Sequence, residues 1–266
     1  MSSTEDLIRQ LRAPDQRGMG RIEEAEYGVP NVERLTRIDN AARTIRSWNS
    51  RCIPGLLQTP EYAMALTQAI NPHLPMMEVR RRTLLKSART QAFMRRTLAG
   101  DLRLACFLVG EEGIIHSTQD TNAHAMQLRH LLMMSAHEKV MIQVLPSHKI
   151  PPALSDHFLL WGLEEETSDP DGPKIPPQRM GYIETIMGGW YSTRLDDMAR
   201  MHSGFSDMIR EAMSAEDSRT FIREVLASWR AVQSRTSPEP TLEPGSSSPA
   251  TPTMTALESP PPQPEA

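Results

Sequence analysis

Cysteine is nearly absent. Cys52 and Cys106 are the only two in 266 residues, too few for a disulfide framework, and neither has a Cys or His neighbour at zinc-site spacing. Long apolar runs are also missing. No stretch reaches the ~20 residues that cross a bilayer, and the opening MSSTEDLIRQ is polar and carries acids, unlike a signal peptide. A soluble, cytoplasmic chain without membrane association is expected. Charge of one sign is lacking too. Lys and Arg number 29 and Asp and Glu 33, and the excess acid lies in residues 237–266, where Glu239, Glu243, Glu258 and Glu265 have no basic neighbour. A neutral body argues against a protein whose main work is coating nucleic acid or an anionic membrane.

The motifs of common chemistries are absent: no GxGxxG, Walker loop, HExxH, GxSxG or CxxC pair. The eight histidines are scattered, and His130, His137 and His148 do not fall at ligand spacing. Neither metal nor cofactor is expected. The one basic cluster, Arg80–Arg82 with Lys86, Arg89, Arg95 and Arg96, reads as the solvated face of a helix rather than a nucleic-acid surface. The seventeen methionines read mostly as core filler.

What is present divides the chain in three. Residues 1–31 are weakly patterned, and 235–266 form a Pro- and Ser-rich acidic tail that cannot bury enough surface to offset its chain entropy. Between them, residues 32–234 carry clear periodicities. Val32, Leu35, Ile38, Ala42, Ile45 and Trp48 have helical spacing over 32–48. Thr59 and Pro60 cap and open a helix over 60–70. A longer helix is expected over 76–98, with Met77, Leu84, Leu85, Ala88 and Ala92 on its apolar arc and Arg82, Lys86 and Arg89 opposite. Short apolar segments at 102–109, 140–145, 157–163 and 180–187 read as strands. A helix over 121–137 separates the first two strands, the loop 164–178 joins the last two, and helices at 193–212 and 215–234 close the domain. The expected fold is α+β, a small mixed sheet of about four strands packed with about six helices. Gly55, between the first two helices, is expected to serve a backbone turn, through a positive φ or lack of room for a side chain.

The run IRSWNSRCIPGLLQTPEYAMAL (residues 45–66) resembles the PGLLQT signature of the actinobacterial WhiJ-like and antitoxin-like helix-turn-helix (XRE-type) regulators, in the effector domain that follows their DNA-binding module. Collinear matches follow in AHAMQLRHLL (123–132), VMIQVLP (140–146), His157–Leu160, YIET (182–185) and AMSAEDSRTFI (212–222). The resemblance covers roughly 40–230. It implies a regulator of development or specialised metabolism, such as antibiotic biosynthesis, that binds a small partner protein. A helix-turn-helix needs about 60 residues, and residues 1–31, with APDQRGMG and GVP, do not hold one. The expectation is therefore a stand-alone effector domain without specific DNA binding.

Two histidines depart from the family pattern. His124 shares a helical face with Leu128 and Leu131, and His157 alternates with Leu159 and Trp161; Tyr182 and Glu184, the latter usual in the family, share a face of the next strand. Two functions follow. In the first, the domain is regulatory and takes a small partner protein or small-molecule ligand, with Trp48, His124, His157, Tyr182 and Glu184 as the binding set. In the second, the scaffold is an enzyme of specialised metabolism performing an acid–base dehydration, cyclisation or isomerisation. There His157, Glu184, His124 and Glu111 are the catalytic candidates and Tyr182 a possible donor. Each histidine also has an ordinary reading as a satisfied core or surface residue.

Overall fold

The structure, a computed structural model, describes residues 29–116, 120–149, 157–163, 178–185 and 188–236. The first helix, α1 (Val29–Ala41), gives way at once to strand β1 (Ala42–Asn49). The expected single helix over 32–48 is corrected at its midpoint. Val32, Leu35 and Ile38 keep helical spacing and are buried. Beyond Ala41, Thr44, Arg46 and Trp48 alternate with Ile45, Ser47 and Asn49 along a strand paired on both edges. Ile45 and Trp48 satisfy either period, so spacing alone does not separate helix from strand here.

A 3₁₀ turn at Gly55–Leu57 leads to α2 (Pro60–Ile70), where the Thr59 hydroxyl accepts the Tyr62 N–H at 3.3 Å as a cap. Helix α3 (Met76–Ala99) ends on Gly100, which at φ 78° occupies the left-handed region. The expected facing of α3 is overturned. Its buried side chains are Val79, Thr83, Arg89, Thr90, Phe93 and Thr97, whereas Met77 and Leu84 are 80% and 71% exposed. Polar groups point inward because each is satisfied. The Thr83 and Thr97 hydroxyls donate to carbonyls one turn back, both at 2.9 Å, and the Arg89 guanidinium meets the Asp39 carboxylate of α1 at 2.5 Å.

The remaining elements are β2 (Leu104–Gly110), α4 (Glu111–Ile115), α5 (Thr121–Met134), β3 (Val140–Leu145), β4 (His157–Leu163), β5 (Gln178–Thr185), β6 (Gly188–Ser192), α6 (Leu195–Glu211) and α7 (Ala215–Thr236). The fold is α+β, as expected, but the mixed sheet has six strands, ordered β3-β2-β1-β4-β5-β6. Seven helices accompany it among the described residues. The two strands beyond the expected four are β1 and β6. Strand β6 opens with two glycines, normally punctuation. A Cβ at Gly189 would stand 2.3 Å from the Tyr182 ring, so the glycine is what lets β6 close against β5.

Strands β3, β2 and β1 run parallel, and β4, β5 and β6 continue from β1 antiparallel. On one face, α1, α2, α3, α5 and α7 cover a core built on Ile45, Phe107, Ile142, Trp161 and Tyr182. On the other, α6 is the helix among the described residues that covers Trp48, Leu108, Phe158 and Leu160, with Met198, Phe205 and Met208. Among the described residues no helix is long and apolar enough to cross a membrane. The expectations for 1–28, for most of the 164–178 loop and for the tail beyond Thr236 lie outside the described residues.

Candidate functional site

Strand β1 is the sheet's switch point. It pairs with β2 on one side in parallel and with β4 on the other in antiparallel, so its C-terminal end meets the start of β4. In open α/β sheets the crevice at such a point is the usual ligand position. Here Asn49, the last residue of β1, pairs in register with His157, the first of β4. Across the next strand pair, His157 Nδ1 lies 2.9 Å from Glu184 Oε2. All three occupy the multi-helix face. The His157 and Glu184 side chains keep 24% and 52% of their surface, so the pair reaches solvent rather than lying in a sealed core.

A turn and a helix bring two more groups, Cys52 and Lys86, toward the pair. The Asn49 side-chain N–H donates to the Cys52 sulfur at 3.7 Å, and the Ser47 hydroxyl donates to Asn49 Oδ1 at 3.1 Å. Lys86, from α3, donates to the Thr67 hydroxyl of α2 at 3.0 Å, and its charge is felt by both Glu184 and Cys52. Burial lowers the Lys86 ammonium below its ordinary value, against the opposing pull of Glu184 and Cys52. Burial pushes the Cys52 thiol up, with the Asn49 hydrogen bond acting against it. Desolvation is the largest influence on Glu184 and pushes its carboxyl up. The hydrogen bond from His157 and the charges of His157, Lys86 and Arg89 together outweigh it and hold the group below the usual carboxylate range.

The other expected site residues lie elsewhere or have other work. Tyr182 shares the His157 face, with ring centres 6.1 Å apart. It is fully buried, and its hydroxyl accepts from the Asn31 amide at 2.8 Å while the Tyr191 hydroxyl donates to the same Asn31 side chain at 2.7 Å. Trp48 sits on the opposite face of the sheet, against Phe158 and Leu160; once β1 is a strand, Trp48 and Asn49 must point apart. His124 is completely buried between Tyr62 and Trp229, with ring centres at 6.2 and 5.7 Å. Its Nε2 lies 2.8 Å from the Ile114 carbonyl oxygen, which can only accept, so the proton is on Nε2. Burial lowers its pKa below the ordinary imidazole value, and it serves as a neutral core histidine. Glu111, at the start of α4, accepts the Ser147 N–H at 2.7 Å and ties down the turn after β3.

The residues that spacing does not reveal are Asn49, Cys52 and Lys86, and behind them the Asp39–Arg89 pair. Cys52 lies inside the 45–66 signature run and Lys86 inside the basic cluster, but neither stands in a spacing that points to chemistry. Among the described residues no three His, Cys, Asp or Glu side chains gather as a metal site.

The family model described as a domain of unknown function (DUF5753) matches residues 32–224. The chain belongs to that family. The match spans α1 into α7 and includes every group around the recess. No curated protein and no solved structure matches the chain. In this DUF5753 domain, the end of the β1–β4–β5 strands brings together a carboxylate, an imidazole whose Nδ1–H is committed to that carboxylate, an ammonium and a thiol.

Proposed function

We propose that the domain is regulatory and acts by capturing a small polar molecule in the recess over His157 and Glu184. One observation carries the reading: a hydrogen-bonded imidazole–carboxylate pair, reaching solvent, at the switch point of a sheet face whose core is built on apolar side chains. Glu184 takes a cationic or hydrogen-bond-donating group of the ligand, and Lys86 an accepting one. The resemblance to the effector domains of WhiJ-like regulators supports a sensing role in the control of specialised metabolism, and the neutral body charge supports a partner other than bulk nucleic acid.

The His157–Glu184 geometry also favours a second reading, an acid–base enzyme. A carboxylate on Nδ1 orients the ring and makes Nε2 the basic nitrogen of its neutral form. In that role His157 removes a proton from the substrate, Glu184 stabilises the resulting imidazolium, and Lys86 returns a proton to the opposite end.

One experiment tests both. The full chain and the variants His157→Phe and Glu184→Gln are incubated with a fractionated small-molecule extract and weighed intact by native mass spectrometry. The bound compound is then released and identified. The regulatory reading expects a compound retained by wild type, lost or weakened at least about tenfold by both variants, and recovered unchanged. Recovery of a chemically altered compound, with alteration abolished by His157→Phe, supports the enzyme. Equal retention by all three proteins overturns the site in both readings.

A further inference from the structure

A second recess lies on the opposite face of the sheet, under the edge of α6 and far along the strands from His157. It encloses about 240 Å³. Arg43, Arg46, Arg103, Arg179 and His202 line it, and among the described residues no acid does. Strand register explains the gathering. Thr44 and Arg46 stand on the outer face of β1, Gly162 lies opposite Thr44 on β4, and Arg179 lies opposite Gly162 on β5. The glycine opens the floor: a Cβ at Gly162 would stand 2.4 Å from the Thr44 hydroxyl. Leu160 supplies an apolar wall.

Several described arginines pair within their own helix, as Arg82 does with Glu78 and Arg219 with Glu216. Among the described residues neither Arg46 nor Arg179 has an acid partner. Their charges meet at His202. Burial is the main cause of that imidazole's lowered pKa, and Arg46 and Arg179 depress it further. Arg46 and Arg179, with no acid partner among the described residues, repel one another until an anion enters the concavity, and guanidinium forks match the tetrahedral oxygens of phosphate.

We propose that this recess binds the phosphate group of a small phosphorylated metabolite, at a site separate from the His157–Glu184 recess. The cavity is near the small end of ligand sites, which run ~300–1,000 Å³, so the molecule is of sugar-phosphate or mononucleotide size. Arg46 and Arg179 grip the phosphate from adjoining strands, and the organic part lies against Leu160. A concave, four-arginine spot on a chain of balanced charge fits a small anion better than a duplex, which a protein meets along an extended basic stripe.

The test is calorimetric titration of the full chain with inorganic phosphate, a pentose 5-phosphate, a nucleoside monophosphate, the unphosphorylated nucleoside and a short DNA duplex. An organic phosphate is expected to bind at least tenfold tighter than inorganic phosphate and the bare nucleoside. Arg46→Gln and Arg179→Gln should each weaken it at least tenfold, while His157→Phe leaves it unchanged. Arg179 is exposed, so its variant reports on binding even if Arg46→Gln disturbs the fold, which circular dichroism checks. Any of four results overturns the proposal: no phosphate binding, binding indifferent to both arginines, tighter binding of the duplex through the same arginines, or binding that appears only after Glu164, Glu165 and Glu166 are changed to Gln. The last would mean that the chain's own acids neutralise the cluster.

Discussion

His157 and Glu184 hold each other across neighbouring strands, and the consequence for stability has a definite sign. Glu184 titrates below the usual carboxylate range in the folded protein, so the unfolded chain takes up its proton at a higher pH than the folded one. The stabilisation is present in full above the ordinary carboxylate range and is lost as pH falls toward the lower folded value. Urea midpoints of wild type and Glu184→Gln, compared from about pH 7 to about pH 3, are expected to converge on acidification. A gap that stays constant would mean that Glu184 is not the titrating group. Asp39 is a deeper case. Its carboxylate takes both Arg89, at 2.5 Å, and the Trp161 indole N–H, at 2.8 Å, and Arg96 donates to the Asp39 and Ala42 backbone carbonyls. Asp39→Ala strands a buried guanidinium and is expected to cost about 3–5 kcal/mol in denaturant unfolding, with much of that recovered in the double variant Asp39→Ala, Arg89→Met.

Elements show where the sequence is readable and where it is not. Helix α2 begins where Thr59 and Pro60 place it, and β3 and β4 coincide with their apolar runs, because caps and short apolar runs are local signals. Helix α3 misleads because its inward face is threonine and arginine, each with a partner that only the fold supplies. Strand β1 misleads because its apolar residues fit two periods. Gly55 shows a right position with half of the reason: no positive φ is involved, but a Cβ there would press to 3.2 Å from the Arg89 guanidinium. The turn from β2 into α4 is tighter. A Cβ at Gly110 would lie 2.1 Å from the Ser50 carbonyl oxygen, a backbone atom that cannot swing away. Gly110→Ala is therefore expected to lower stability by about 1–3 kcal/mol, read from the denaturation midpoint. An unchanged midpoint would show that the turn relaxes freely.

The described residues form a sheet between unequal layers, five major helices on one face and α6 on the other. Beneath α6 lie Trp48 and Phe158, but the helix is anchored mainly by Met198, Phe205 and Met208, whereas β1 is paired on both edges and buried on both faces. Hydrogen exchange is expected to release α6 amides at least about tenfold sooner than those of β1; matched rates would make the domain one cooperative unit. The candidate site was half legible at this scale. Alternation groups His157 with Leu159 and Trp161, and Glu184 with Tyr182, each on one face of its own strand, and the β4–β5 register makes these the same face. Asn49, Cys52 and Lys86 come from a strand end, a loop and a helix, and only the crossing of chain segments joins them. Trp48 was misdirected for the same reason as β1, since its facing depends on the period chosen.

The β1–β4 join has a consequence for how the protein comes into being. Asp39 and Trp161, bonded across that join, stand 122 positions apart in the chain, and the recess over His157 straddles the same seam. During synthesis from the N-terminus, the parallel strands can associate while β4 and β5 are still unmade. The chain then possesses most of its helices but not the His157–Glu184 pair. Under the proposed function, capture would begin only once β5 is made and the seam shuts, so occupancy would mark a chain extended beyond Thr185, and a ligand present during translation would favour that later stage over every earlier one.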